Sequence, residues 1–168
     1  MQLDGYVVRR TIAADEACIQ QLFEADPEYF EIVHGAPPGP AEFQSLLTEL
    51  APGKTYDDKF VYSVLSGDEK ICAVADMVRN YPEDGIWFVG LLFVARDRRG
   101  AGLGTRLVEA ICGHIAAHDG HAVRIAVAKN YRNAMQFWAR AGFRSLYIAE
   151  RERAPAAPLT LDVMEWAV

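Results

Sequence analysis

Leu92-Phe93-Val94-Ala95-Arg96-Asp97-Arg98-Arg99-Gly100-Ala101-Gly102-Leu103-Gly104-Thr105 is the stretch whose reading decides the fold. Its first residues close an apolar run, Ile86 to Val94, without the polar alternation of a half-exposed strand, which predicts a central strand covered on both faces. Its last residues open a run in which Leu103, Leu107, Ile111 and Ile115 recur every four positions, with Val108 and Cys112 beside them. That spacing predicts an amphipathic helix. Between strand and helix lies a turn of glycines and arginines. The first amides of a helix lack intrahelical acceptors and sit at the positive end of its dipole. Glycines let a bulky anion approach them, so the turn suits a phosphate group. Arg96, Arg98 and Arg99 cluster here although the chain carries a formal net charge of -6. The plainer alternative is a solvated basic turn whose glycines serve packing. A dinucleotide-binding turn would need G-x-G-x-x-G after the first strand of a βαβ unit, and the spacing here is one residue short. A P-loop would need Gly-Lys-Ser/Thr, which is absent.

Outward from the turn, Lys59 to Leu65, Ile71 to Val78 and Ile86 to Val94 are β-rich runs separated by Gly67-Asp68 and Pro82-Glu83-Asp84-Gly85, which predicts an antiparallel meander. His121 to Val127 follows the helix and should lie parallel to the third run through a right-handed crossover. Ala134, Phe137, Trp138 and Ala141 mark another helical face ending at Gly142, and Phe143 to Ile148 and Leu159 to Trp166 are closing strands. Arg151 to Pro158 reads as a mobile surface loop. In the first half, Tyr6 to Arg10 predicts a strand. Asp15 is a candidate N-cap for a helix bearing Ile19, Leu22 and Phe23, and Glu28 to Val33 predicts a short helix. Pro40 is a candidate first residue for a helix with Phe43, Leu46, Leu47 and Leu50 inward. The expected fold class is α/β, a mixed sheet of about seven strands with helices on both faces, and residues 1–168 read as one domain.

Composition narrows the function classes. The 168 residues are 51% hydrophobic and 24% charged, which suits a globular core. The acidic balance speaks against nucleic acid and favours cationic substrates. No apolar segment reaches membrane-helix length and no signal peptide opens the chain, so the expectation is a cytoplasmic protein with no membrane partner. Cys18, Cys72 and Cys112 sit in apolar stretches without ligand spacing and read as buried thiols, with no metal site expected.

Val94 followed by Arg99-Gly100-Ala101-Gly102-Leu103-Gly104 resembles the cofactor motif V-x-x-x-x-R-G-x-G-x-G of the Gcn5-related N-acetyltransferase (GNAT) family. Asn130-Tyr131-Arg132-Asn133-Ala134-Met135-Gln136-Phe137-Trp138-Ala139-Arg140-Ala141-Gly142-Phe143 resembles that family's second motif. The resemblance implies a single acyl-CoA N-acyltransferase domain whose strands splay apart to admit acetyl-CoA. It implies a cofactor arm against Leu92, Phe93 and Val94, and a pyrophosphate on backbone amides of Arg99, Gly100, Ala101, Gly102, Leu103, Gly104 and Thr105. Contacts from Asn130 or Asn133 and from Phe137 are also implied, with helix N-capping as the alternative for either asparagine. The reaction implied is attack by a small-molecule or peptide amine on the thioester, with the backbone N–H of Val94 as oxyanion donor. A homodimer is compatible with it. Two departures stand out. Ile86 to Val94 has no carboxylate where several relatives place a base, and Trp138 stands where many have a tyrosine acid. The base candidates become Glu28, Glu31, His34 and Asp76, or the Tyr81-Pro82-Glu83 turn, each otherwise a solvated surface group. A water relay shared among them, with no single essential group, is the expected route for the proton. Tyr131 or Tyr147 could replace the missing tyrosine. These departures keep two other readings open: a non-catalytic acyl-CoA binding or sensing module, and a transferase for another acyl group.

Overall fold

A computed structural model describes residues 1–153 and 156–168. Among these residues, seven strands form one sheet in the order β1-β2-β3-β4-β5-β7-β6. They are β1 (Val7–Arg10), β2 (Lys59–Leu65), β3 (Ile71–Arg79), β4 (Ile86–Val94), β5 (Ala122–Ala128), β6 (Arg144–Arg153) and β7 (Ala156–Ala167). Five helices accompany them among the described residues: α1 (Glu16–Glu24), α2 (Glu28–His34), α3 (Glu42–Thr48), α4 (Leu103–Ala116) and α5 (Arg132–Arg140). All neighbouring strands are antiparallel except β4 and β5, which are joined by the α4 crossover. The expected α/β class, the meander and the central position of Ile86–Val94 are all present.

The period-2 alternation of the strands divides the core between two faces. Val61, Val74 and Phe93 face α1, α2 and α3, where Ile19, Phe23, Phe30, Phe43 and Leu46 cover them. Ala75, Met77, Trp87, Val89, Val123 and Ile125 face the other way, onto Val108, Ile111, Cys112 and Ile115 of α4. Ala134, Phe137, Trp138 and Ala141 of α5 pack on that same cluster. The four-residue repeat of α4 thus became its buried stripe, with Leu107 and Ile115 fully enclosed. Burying a side chain of that size is worth ~1.5–3 kcal/mol. Among the described residues, no helix is long and apolar enough to cross a membrane.

Several expectations need correction. Helix α3 begins at Glu42, so Pro40 lies ahead of it and Leu50 beyond its end. Arg151 to Pro158 is not a loop: β6 and β7 continue as a hairpin in which Arg151 pairs with Leu159 and Arg153 with Ala156. Of that stretch, residues 154 and 155 lie outside the described residues. A count of Pro and Ala conceals these strand ends, since pairing depends on a partner strand rather than on local propensity. Cys18 is exposed on α1, whereas Cys72 and Cys112 are buried as expected. Burial raises the thiol pKa of Cys112 to about 12.

Asp15 stands at the N-cap position of α1 but makes no cap bond to it. Its buried carboxylate instead accepts from Arg9 Nη1 and Nη2, both at 2.7 Å, from the Ile12 amide at 3.0 Å and from the Ser63 hydroxyl at 3.2 Å. The bidentate Arg9 bond is the main cause that holds its pKa below the ordinary value. A depressed carboxylate contributes stability above its unfolded pKa of ~3.9 and loses it as pH falls through the folded value. We expect Asp15→Ala to cost ~1–3 kcal/mol in urea unfolding at pH 7. The gap from wild type should narrow as the pH is taken below ~4. An unchanged gap at low pH would show that the carboxylate charge is not what stabilises this corner.

Candidate active site

Strand β4 pairs with β5 only from Ile86 to Phe88, against Ala122 to Arg124. Beyond Phe88 the two strands separate. At the same place β4 loses register with β3: Met77 faces Val89 and Asp76 faces Leu91, which leaves Gly90 as an unpaired bulge residue. A bulge inverts the side-chain alternation after it. Trp87 and Val89 point toward α4 before it, and Leu92 and Val94 do so after it.

The inversion also decides where the backbone points. The Ala95 amide donates to Cys72 O at 2.8 Å, which puts the odd-numbered residues of this segment in the ladder with β3. Leu92 and Val94 therefore turn their N–H and C=O groups to the opposite edge, where β5 has left. The Val94 carbonyl accepts from Arg99 Nε at 2.8 Å. The backbone of Phe93 belongs to the ladder with Val74, so its contribution to the gap is a wall and not a pairing edge.

The separated strands bound a cleft of about 670 Å³. One wall is Val89 to Val94; the other is Ile125 to Ala128; Ala134, Phe137 and Trp138 close it on the α5 side. Arg99, Gly100 and Gly104 line its outer end. Gly102 caps α4 with φ 84, a left-handed conformation that an L side chain adopts only at a cost. The first-turn amides of Leu103, Gly104 and Thr105 follow, while the Leu103 side chain is buried beside Leu107. A Cβ on Gly104 would lie 3.1 Å from Phe137 Cε2, so glycine lets α5 close on the helix start. Arg99 is committed: its guanidinium pairs with the buried carboxylate of Asp26 and lies 5.6 Å from the Phe93 ring centroid. It fixes the turn to the end of α1, and Arg96 is left exposed.

In the second motif, Asn133 lines the cleft and Asn130 does not. Neither caps α5; that position belongs to Tyr131. Tyr131 also lines the cleft and donates to Glu28 Oε2 at 3.3 Å, so it joins α5 to α2 across the gap between β4 and β5. Burial raises the Tyr131 pKa to about 12. Trp138 packs 4.9 Å from Phe143, ring to ring, as a wall of the cleft.

A second cavity lies on the α1–α3 side of the sheet. Tyr29, Phe30, Leu46, Leu50, Val78, Tyr81 and Phe88 supply its apolar lining; Glu42, Glu49 and Asp76 supply carboxylates, and His34, Lys59, Arg124 and Arg151 supply basic groups. Tyr29, Phe88, Gly90, Leu91, Ala126 and Arg151 line both cavities, so the two meet at the bulge. The four single-residue base candidates are thereby sorted. Glu28 is on the cleft side, bonded to Tyr131. Glu31 is exposed and lines neither cavity. His34 ends α2 with its ring 5.8 Å from that of Phe30, and burial lowers its pKa. Asp76 lies beside Gly90 and is bonded to Lys59 at 2.9 Å. The sequence reading missed Lys59, whose buried ammonium has no local sequence signal: it sits in a β run whose partner is 17 residues away.

The sequence matches the acetyltransferase (GNAT) family over residues 19–143. No curated protein matches it. Among solved structures, an acetyltransferase from Thermus thermophilus superposes with a TM-score of 0.74 at 20% identity, covering 100% of both chains. Spermidine N-acetyltransferase from Vibrio cholerae, in complex with CoA and spermine, gives 0.76 at 11% identity, covering 97% of this chain and 95% of that one. The ribosomal-protein-S18-alanine N-acetyltransferase from Escherichia coli gives 0.69 at 14%, covering 97% and 94%. At these identities the likeness is one of fold. With a family match over three quarters of its length and both motifs set around the splayed strands, the chain belongs to the GNAT family of acetyl-CoA-dependent acetyltransferases.

Proposed function

We propose that this protein transfers an acetyl group from acetyl-CoA to a primary amine of a small molecule or peptide. The observation that carries the reading is the meeting of two cavities at Gly90: one runs back to the Gly-rich turn, the other is lined with aromatic side chains and with charged groups of both signs, Asp76 among them. A donor and an acceptor entering from opposite faces of the sheet would converge there.

The residues present fit acetyl-CoA. The gap offers unpaired backbone groups at Leu92 and Val94, the orientation a pantetheine arm needs to add as a strand. The first-turn amides of Leu103, Gly104 and Thr105 suit its pyrophosphate. Phe137 and Asn133 flank the same path. When bound, acetyl-CoA supplies the activated acetyl thioester. The Val94 N–H would stabilise the negative charge that develops on the acetyl oxygen during attack. Arg99 holds this segment from the carbonyl side. Burial raises the Tyr131 pKa, and its hydroxyl proton is already given to Glu28. Its role would be hydrogen-bond donation, and the thiolate would leave without a dedicated acid. Tyr147 is exposed on β6, on the acceptor side, and does not take that place. The acceptor cavity, largely aromatic and apolar with charged groups of both signs, suits an amine on an apolar body.

Two measurements test this. Acetyl-CoA near 100 times its dissociation constant should stabilise the fold by ~2.7 kcal/mol. For a chain of this length that is a rise of roughly 5–11 °C in Tm. No shift with acetyl-CoA and a clear one with NAD⁺ would overturn the cofactor assignment; a shift without thiol release in the presence of any amine would identify a binding module instead. Gly104→Glu should weaken acetyl-CoA binding at least tenfold, about 1.4 kcal/mol, because the new carboxylate stands at the anion site. Gly104 lacks the left-handed backbone of Gly102, but its Cβ would press on Phe137 at 3.1 Å, so Gly104→Ala is the control that carries the crowding without the charge. Unchanged affinity in calorimetry would mean that the glycine serves only the contact with Phe137.

A further inference from the structure

The identity of the base follows from what β4 lacks. The strand has no carboxylate, and of its three residues that line both cavities, Phe88, Gly90 and Leu91, the middle one has no side chain. The space a side chain would fill is taken from the neighbouring strand: a Cβ built on Gly90 would lie 3.3 Å from Asp76 Oδ2. Asp76 sits on β3 directly across the bulge, facing the acceptor cavity. Its Oδ2 accepts from Lys59 Nζ at 2.9 Å, and Lys59 is 5% exposed, so that bond is held rigidly. Its Oδ1 is buried without a hydrogen-bond partner among the described residues. A buried acceptor left unmet is costly, and a catalytic role is one reason a fold retains such a group.

We propose that Asp76, reaching across the side-chain-less Gly90, is the group that receives the acceptor amine and takes its proton, and that Lys59 is its positioning residue. This rests on the proposed transfer to an amine, and it replaces the shared relay with one dedicated base. The amine arrives as an ammonium ion, attracted to the carboxylate. One proton passes to Asp76. The freed lone pair forms the C–N bond to the acetyl carbon, and the C–S bond breaks with its electron pair going to sulfur. The second nitrogen proton ends on the thiol, and Asp76 returns the first to solvent. Ammonium plus thioester thus give amide, thiol and one released proton.

The electrostatics agree with the geometry. Burial, the largest cause, raises the Asp76 pKa above the ordinary carboxylate value; Lys59 from β2 and Arg10 from β1 oppose this, and Glu49 beyond α3 adds to it. A carboxylate so raised moves toward the operating pH, where a base takes a proton most effectively. The other candidates are placed less well: Glu28 lines only the cofactor cleft, Glu31 lines neither cavity, and His34 lines the acceptor cavity but is not within 4 Å of the Gly90 Cβ position, where Asp76 stands.

The test measures kcat/KM against pH for acetyl transfer from acetyl-CoA to 2-phenylethylamine, spermidine and a peptide with a free α-amino group. With Asp76 as base, wild type should rise to a plateau through neutral pH and fall only as the amine itself loses its proton. Asp76→Asn should lose roughly 10²–10⁴-fold at neutral pH. Its residual rate should climb about tenfold per pH unit up to the amine pKa, since only pre-deprotonated amine then reacts. Acetyl-CoA affinity should not change. Lys59→Met with Asp76→Asn removes the lysine that the first change leaves unpaired, and should be equally impaired. Gly90→Glu in the Asp76→Asn background puts a carboxylate back on β4 and should recover at least tenfold. Activity within fivefold of wild type in folded Asp76→Asn overturns the proposal. So does activity restored by Lys59→Met, which would make the unpaired lysine the fault. A wild-type profile without the neutral plateau overturns it even if the variants do not fold. No transfer to any amine by wild type with acetyl-CoA bound overturns the amine-transfer reading and this one with it.

Discussion

The site depends on one break in hydrogen bonding. Three residues of β4 pair with β5, and then Gly90 bulges and the strands part. The backbone beyond the bulge keeps only one partner strand, so every second residue presents a bare N–H and C=O to a gap inside the sheet. In a buried setting such groups must find acceptors and donors. Here one is met by Arg99 on the Val94 carbonyl, and the rest line the cleft. The gap stays open because other elements hold its sides. Phe137 and Trp138 fill it from the α5 face, and the Tyr131–Glu28 bond ties α5 to α2 across its open end.

The same bulge distributes chemistry between the two faces. It turns Leu92 and Val94 toward α4 and leaves the opposite side of Gly90 without a side chain. A β3 carboxylate occupies the vacant position. The departure that looked like a missing base in the sequence is therefore, on the proposed reading, a relocation by one strand. A glycine and a neighbouring aspartate fill the volume that one long acid on β4 would fill.

Charge is used locally against the global balance. A chain of net charge -6 keeps a positive region at the start of α4 with three arginines, first-turn amides and the helix dipole. The best placed of these, Arg99, is bonded to Asp26 and Val94, so its contribution is to hold the turn against α1 and β4. Backbone amides are left as the main anion donors. Such donors are fixed in direction and need no reorganisation, which is why glycines at that turn matter more than a further cation would.

The sequence by itself determined the elements whose signal is local. The four-residue repeat of α4, the unbroken apolar run of β4, the Gly-Arg turn and the closing Gly142 are periodicities and turn chemistries that need no distant partner. Together they carried the fold class and the family. Tertiary structure decided whatever depends on pairing. The length of the β6–β7 hairpin came from ladder register rather than composition. The N-cap of α5 fell to Tyr131 rather than to an asparagine. The base candidates, equivalent as a list, were divided by the cavities, with His34 and Asp76 sharing one and only Asp76 standing beside Gly90. The Asp76–Lys59 pair and its place beside Gly90 join three strands, and no pattern along the chain encodes it. The physical reason is the same in each case: hydrophobic period is a property of consecutive residues, whereas register, bulges and buried ion pairs are properties of strands brought together only by the fold.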